Sequence, residues 1–241
     1  MQSPEIIYED RHLVAVSKPA RIPVASESSG DETLLDMVRS WNAARQTEGR
    51  KGYCVPIHFL DRPVSGVILF GLSSKAAARL NELFRGRQLR KIYVAIVEGR
   101  PSESEATLEH WLAKDHDENK ALVVHAKHPD AKKCVLSYRV IGTSENRTLL
   151  QVEPVTGRSH QIRAQLAAIG SPIYGDSKYG SSASWDGKVA LHAACLEFKH
   201  PVGSAPMRLI AALPTYWKDV WKIPFSQAPN NFIYREVTSN E

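Results

Sequence analysis

Two short segments of the chain carry side chains that could cooperate in catalysis. Residues 58–66 read HFLDRPVSG and place Asp61 between an apolar residue and Arg62, just before a turn and an apolar run. Residues 156–166 read TGRSHQIRAQL and supply Arg158, His160 and Arg163. A guanidinium beside a carboxylate keeps the carboxylate charged and available as a nucleophile or base. The two segments therefore predict an acid held by an arginine from far along the chain.

The second segment also predicts a helix that begins just after Gly157 and runs over residues 159–168. On such a helix His160 and Arg163 lie close together in projection, and Arg158 lies about a turn and a half earlier. Gly170 is a suitable residue to end the helix.

Apolar periodicity predicts the remaining elements. Strand-like runs occur at residues 6–8, 13–16, 67–70, 93–97, 135–141 and 149–152, and further helices are predicted at residues 33–45 and 74–84. The pair Ser73-Ser74 is a suitable N-cap for the second of these helices. Strands and helices interleave without strict β-α-β alternation, which favours an α+β architecture over a doubly wound parallel sheet.

Composition limits the classes of protein to which the chain can belong. It has 241 residues, 43% of them hydrophobic, and a formal net charge of +5. A basic chain suits a polyanionic partner. Basic side chains cluster at residues 79–91 and at Lys127, Lys132 and Lys133, where they could contact phosphates. The alternative is that each cluster is an ordinary solvated surface. Three widely spaced cysteines predict reduced, partly buried thiols. We find no secretory signal and no run of the ~20 apolar residues that spans a bilayer, which predicts a cytoplasmic protein.

Four motifs in a fixed order resemble the RluA-type family of RNA pseudouridine synthases. They are the His58-Phe59-Leu60-Asp61 element with its following Ser65-Gly66, the strand Arg90-Lys91-Ile92-Tyr93, the segment 156–163, and the loop Gly175-Asp176-Ser177-Lys178-Tyr179-Gly180. The resemblance extends from the strand that ends at Lys18-Pro19 to the His200-Pro201 turn, and so covers nearly the whole chain.

The resemblance implies a fold and a domain organisation. The expected fold is α+β, with a bent, mostly antiparallel mixed sheet flanked by helices and a central active-site cleft. Residues 1–241 are expected to form a single catalytic domain, without room for the S4-type RNA-binding module of larger members. RNA selection would then fall to residues 30–53, to residues 103–133 or to the tail after Pro224, which is expected to be loosely ordered from about residue 226.

The resemblance also implies roles for three residues. Asp61 is expected to act at the anomeric carbon as a nucleophile or as an electrostatic stabiliser, Arg163 to form an ion pair with it, and Tyr93 to stack on the base and accept a proton. Each has a structural alternative. Asp61 could pair with Arg62 or cap its turn, Arg163 could be a helix-surface contact to phosphate, and Tyr93 could be an ordinary half-buried strand aromatic.

RNA binding is expected to involve Phe59, Arg62, Arg158 and His160. The family usually has an arginine where this chain has Phe59, and that arginine fills the gap left by a flipped base. Phe59 could act there as a wedge, Arg62 could reach in instead, or Phe59 could simply belong to the core.

The expected reaction is the isomerisation of specific uridines in ribosomal or transfer RNA to pseudouridine. It requires no cofactor and no metal, and the histidines show no metal-ligand spacing. The protein is expected to act as a monomer with RNA as its partner, and not at a membrane. The alternatives are a non-catalytic RNA-binding or RNA-folding protein on the same scaffold, and a glycosidase, for which a second carboxylate is missing.

Overall fold

The computed structural model describes residues 3–26, 30–45, 52–222 and 233. The chain forms two compact units, one made of residues 1–91 and 193–214 and the other of residues 92–192 and 215–241. The single catalytic domain over residues 1–241 therefore stays a prediction. The tail from about residue 226 lies outside the described residues, except for Ile233.

Antiparallel strands form the centre of the first unit. β1 (Glu5–Glu9) pairs with β2 (Leu13–Lys18), and β2 pairs with β4 (Ser65–Gly71), which also pairs with the short β3 (Val55–Pro56). β10 (Leu191–Lys199), from Ala193 onward, lies beside β4 and pairs with β11 (Pro206–Ile210). Every residue of β4 is buried, as expected for a central strand.

Two capped helices belong to the same unit, as predicted. α1 (Leu34–Ala44) begins at a capping box, in which Thr33 and Asp36 each bond the backbone N–H of the other. α2 (Ser74–Arg85) begins at Ser73, whose side chain accepts the N–H of Ala76. α1 thus starts at Leu34, one residue after the predicted start at residue 33, and α2 ends at Arg85, one residue after the predicted end at residue 84.

Five long or medium strands make up the sheet of the second unit. They are β5 (Leu89–Glu98, from Ile92 onward), β6 (Glu105–Asp115), β7 (Lys120–Val124), β8 (Lys132–Ser144) and β9 (Arg147–Pro154), in the spatial order β5-β9-β8-β6-β7. Neighbouring strands in this order are antiparallel.

The helix α3 (Gln161–Ala168) covers one face of this sheet. Its Ala164 packs in a buried cluster with Leu112 of β6, Cys134 of β8 and Tyr179. The predicted start just after Gly157 is wrong, because the side chain of Gln161 accepts the Arg158 N–H at 3.1 Å and thereby closes a turn before the helix. Arg158 therefore precedes α3 rather than lying on it.

The α+β class is confirmed, and each of the six predicted strand segments lies within a strand. The strands β3, β6, β7, β10 and β11 were not predicted. The central cleft expected from the resemblance stays a prediction.

All three cysteines are buried as free thiols. Burial raises the pKa of Cys134, and it raises the pKa of Cys54 and of Cys195 to about 11. The cysteines are thus unpaired, as predicted, and they are fully rather than partly buried.

No helix in the described ranges is long and apolar enough to cross a membrane.

Candidate active site

The segment that carries Asp61 connects β3 to β4 in the first unit. Leu60 and Val64 are both buried, at 8% and 2% exposure, and the N–H of Val64 donates to the carbonyl of Asp61 at 3.0 Å. These contacts anchor the segment on both sides of Asp61, whose own side chain is partly exposed. The carboxylate is therefore displayed from a fixed turn rather than from a mobile loop.

Gly66 sets the path of the chain immediately after this turn. Its φ is +123°, and a Cβ placed there would lie 2.3 Å from the carbonyl oxygen of Ala193. Only glycine fits both the backbone conformation and the close approach to β10. The Ser65-Gly66 element thus serves to seat β4 against its neighbour.

A fully buried lysine braces the same segment. Lys18, with 0% exposure, donates through Nζ to the carbonyls of Pro19 at 3.0 Å, Ile22 at 2.7 Å and Arg62 at 3.1 Å. A buried ammonium requires such acceptors, because an unsatisfied buried charge is very costly. Lys18 therefore joins the loop after β2 to the residue that follows Asp61.

Arg62 takes part in this bracing, although its side chain stays partly exposed. Its Nη2 forms a salt bridge with Asp31 Oδ2 at 2.5 Å, and its Nε donates to the carbonyl of Arg21 at 3.0 Å. Arg21 in turn donates its N–H to the carbonyl of Arg62 at 2.7 Å. The predicted RNA contact by Arg62 has not been tested, but these bonds hold the guanidinium toward its own unit.

Phe59 has the opposite environment. Its side chain is 65% exposed, although the residues on both sides are at least partly buried. The alternative that Phe59 belongs to the core is therefore wrong. An exposed aromatic on an anchored turn is available for stacking against a base.

His58 has a structural role beside this turn. Its ring stacks on Phe84 with a centroid distance of 4.9 Å, and Nε2 accepts the N–H of Leu69 at 3.1 Å. Burial, with a smaller contribution from the charge of Lys91, lowers the pKa of His58 to about 3. The ring is therefore neutral at physiological pH, as an acceptor of this hydrogen bond must be.

Arg163 lies in the second unit and forms a buried, bidentate salt bridge with Asp176. The Nε–Oδ2 distance is 2.7 Å and the Nη2–Oδ1 distance is 2.8 Å, and the side chains are only 6% and 1% exposed. Burial contradicts the alternative of a helix-surface arginine. The salt bridge uses one edge of the guanidinium and fixes its plane and direction.

The loop that carries Asp176 is shaped by Gly175. Its φ is +83°, and a Cβ there would lie 2.6 Å from the carbonyl oxygen of Lys188. A few residues on, Tyr179 is buried and its ring centre lies 4.9 Å from the Arg163 guanidinium carbon. The loop thus contributes both a carboxylate and an aromatic face to Arg163.

Tyr93 lies in the middle of β5, opposite Val152 of β9. Its side chain is partly exposed, whereas its neighbours Ile92 and Val94 are buried on the other face. This placement is compatible with contact to a base, and the role itself stays a prediction.

His160 and Arg158 lie just before α3. His160 has a left-handed backbone, with φ of 53°, and its Nδ1 lies 2.9 Å from the hydroxyl of Tyr179. Arg158 is exposed. Gln161, in contrast, is buried, and its side chain bonds Thr156, Arg158 and the carbonyl of Val135, so it is a structural residue.

Within each unit the structure brings together part of the predicted set. Phe59, Asp61 and Arg62 share one turn of the first unit, and Tyr179 joins Arg163 to His160 in the second. The ion pair between Asp61 and Arg163 stays a prediction.

Sequence reasoning missed the roles of Lys18 and Asp176. The available signals were a lysine that ends an apolar strand and an acid in a glycine-bounded loop.

No group of three or more histidine, cysteine or acidic side chains in the described part of the chain is arranged to hold a metal ion.

The amino-acid sequence matches a known family and its members over most of the chain. A family described as RNA pseudouridylate synthase matches residues 12–168. A tRNA pseudouridine synthase C of Salmonella typhi is 36% identical, over 90% of this chain and 88% of the relative. The enzyme of the same name from Yersinia pestis is 35% identical, over 92% and 90%.

Solved structures share the fold. Human RNA Pseudouridylate Synthase Domain Containing 4 superposes with a TM-score of 0.74 at 24% identity, covering 88% of this chain and 90% of that one. The human Domain Containing 1 protein gives a TM-score of 0.73 at 22% identity, covering 91% and 87%. The resemblance found in the motifs is therefore confirmed: the chain belongs to the RNA pseudouridylate synthase family, and it is an isomerase that converts uridine in RNA to pseudouridine.

Proposed function

We propose that the RNA substrate is a transfer RNA and that the reaction uses only side chains of this protein. The observation that carries the choice of RNA is the similarity to enzymes named tRNA pseudouridine synthase C, at 36% identity over nearly the full length of both chains. A net charge of +5 is consistent with a polyanionic substrate.

In this proposal Asp61 acts on the ribose. The bond between N1 of uracil and the anomeric carbon breaks, and the carboxylate either attacks that carbon or stabilises the positive charge that develops on it. The anchored turn supports this role, because a catalytic group must be held in place to gain from proximity. The bracing by Lys18 through the carbonyl of Arg62 contributes to that rigidity.

Arg163 is proposed to hold the Asp61 carboxylate and to be held itself by Asp176. One edge of the guanidinium bonds Asp176, and the group has further donors with which to bond a second carboxylate. An arginine fixed in this way would orient Asp61 without a cost in side-chain entropy at each turnover.

Tyr93 is proposed to stack on the detached base and to accept a proton. After the base turns, a bond forms between its C5 and the anomeric carbon, C5 loses its hydrogen as a proton, and N1 gains a proton. The phenol oxygen can accept or relay the proton from C5. No electron leaves or enters the substrate, so the atoms balance without a redox partner.

The assignment of transfer RNA is tested by mapping pseudouridine across total RNA from cells with and without the protein. We expect at least one site in transfer RNA to disappear with the protein and to return when the unchanged chain is supplied. Sites that disappear only from ribosomal RNA would overturn the choice of RNA while leaving the isomerase activity intact.

Phe59 is proposed to fill the gap left by the flipped uridine, because it is 65% exposed whereas the Arg62 guanidinium is bonded to Asp31 and Arg21. Replacing Phe59 by Ala should lower kcat/KM on folded transfer RNA by about 10- to 100-fold, the range expected for one lost stacking contact. A short single-stranded RNA with the same uridine should be modified nearly as fast as by the unchanged protein.

Val155→Ala is the control for Phe59→Ala, since it removes another strongly exposed apolar side chain, which lies outside the turn and outside the segments expected to select the RNA. It should leave both substrates unaffected. Equal losses by Phe59→Ala on folded and single-stranded RNA would contradict a wedge.

A further inference from the structure

A basic cavity of about 390 Å³ lies wholly within the second unit. Strands β6, β7 and β8 and the turn before α3 form its walls. Its charged and ionisable lining consists of Lys114, Lys120, Lys132, Arg158, His116, His160 and a single acid, Asp130. Cations therefore outnumber the carboxylate, and the cavity suits an anion.

The sheet register explains how the cations converge. Lys132 of β8 lies opposite Leu112 of β6, and Lys114 follows two residues later on the same face of β6. That face also carries Leu112 and Cys134 of the cluster under α3. The cavity therefore continues the face that α3 covers, beside the start of that helix. The next residue of β8, Lys133, points to the opposite face, where it pairs with Glu109 at 2.8 Å.

His160 is prepared to donate a hydrogen bond. The hydroxyl oxygen of Tyr179 accepts the N–H of Ala121 at 2.8 Å, so Tyr179 can give its own proton to Nδ1 of His160, 2.9 Å away. In that arrangement a neutral imidazole carries its proton on Nε2, which can then donate a hydrogen bond. The left-handed backbone of His160, with φ of 53°, is a strained conformation that persists where the surroundings impose it.

We propose that this cavity binds a backbone phosphate of the substrate RNA, an inference that rests on the proposed function. Lys114, Lys132 and Arg158 are exposed at its rim and supply charge, and His160 supplies a directed donor. Lysines on a rim suit a phosphate presented by a polymer, which is approached from solvent, and not a small molecule that must be enclosed.

Tyr179 connects this phosphate site to the catalytic arginine. Its hydroxyl contacts His160, and its ring lies 4.9 Å from the guanidinium carbon of Arg163 and 5.1 Å from Nζ of Lys120. A phosphate held by Lys120 and His160 would therefore be seated two contacts from Arg163. The site fixes the RNA relative to the group that orients the catalysis.

The test is the salt dependence of RNA binding by a Lys114→Ala/Lys132→Ala double variant of the full chain. The Kd for transfer RNA should rise about tenfold at ~150 mM KCl, and the slope of log Kd against log salt should fall by about one to two.

Lys133→Ala is the matched control, since it removes the same charge from the same strand on the other face. It should change neither Kd nor slope. An unchanged slope in the double variant, or an equal change in Lys133→Ala, would overturn the proposal. Both side chains in the double variant are exposed, so folding should be retained and is checked by thermal unfolding.

Binding is measured in parallel with transfer RNA and ribosomal RNA, which separates this proposal from that of the substrate. If ribosomal RNA is the tighter ligand, the choice of transfer RNA fails. The difference between the double variant and Lys133→Ala in the slope of log Kd against log salt still shows whether the cavity binds phosphate.

Discussion

An Asp61→Asn protein is expected to fold like the unchanged protein and to form pseudouridine at least about 1,000-fold more slowly. The amide has nearly the same shape as the carboxylate, and the backbone of the turn is held by Leu60, Val64 and the Lys18 bonds independently of the side chain at position 61. What is lost is the negative charge that is proposed to act on the anomeric carbon. The measurement is a single-turnover assay with excess protein over transfer RNA.

The control for Asp61→Asn is the same chemical change at an exposed carboxylate, Asp186→Asn, which should retain full activity. The Kd of the Asp61→Asn protein for transfer RNA should stay within a few fold of the unchanged value, because phosphate contacts dominate affinity. Retained activity in Asp61→Asn would remove this carboxylate from the mechanism and direct attention to another acid.

An Asp176→Asn protein is expected to lose about 3 kcal/mol of unfolding free energy, since it removes the bidentate carboxylate that balances the buried charge of Arg163. Its kcat should fall about 100-fold, because a guanidinium that has lost its bidentate partner no longer holds its plane. KM for transfer RNA should change little, as a positioning role predicts. Denaturant unfolding and steady-state kinetics measure the two effects.

A double variant, Asp176→Leu/Arg163→Met, separates stability from catalysis. Replacing both members of a buried pair by apolar residues of similar size is close to neutral, so the unfolding free energy should return to within about 1 kcal/mol of the original value. Activity should remain low. A double variant that regains both stability and activity would show that Arg163 and Asp176 serve the fold alone.

The sequence was most informative where local rules decide the structure. The cap at Ser73 places the start of α2 because its hydroxyl bonds a backbone N–H a few residues away, whereas Thr33, which was predicted as the first residue of α1, is the cap of that helix. The apolar runs of β2, β4 and β5 are almost entirely buried and so stand out from their surroundings. In these elements short-range chemistry and tertiary packing favour the same conformation.

Elements stabilised by distant partners could not be predicted in this way. β6 reads EATLEHWLAKD, and its charged residues and alanines are poor strand formers; pairing on both sides, with β7 and β8, makes it a strand. β10 was missed for a related reason, since its small residues carry little strand propensity and it owes its place to its neighbours β4 and β11.

The candidate site shows the same division. The motifs locate Asp61, Tyr93 and Arg163, but they do not specify what holds them. The Arg163–Asp176 pair and the three carbonyls around Lys18 depend on how separate segments pack. The late start of α3 depends on one side chain, Gln161, which bonds the Arg158 backbone instead of extending the helix. Periodicity contains no information on such contacts.

The burial of the three thiols affects how readily the protein is chemically modified. Alkylating agents and peroxides attack the thiolate, and burial at Cys54, Cys134 and Cys195 both excludes the reagents and raises the pKa that governs thiolate formation. In the folded protein these thiols should therefore react slowly with oxidants and alkylating agents.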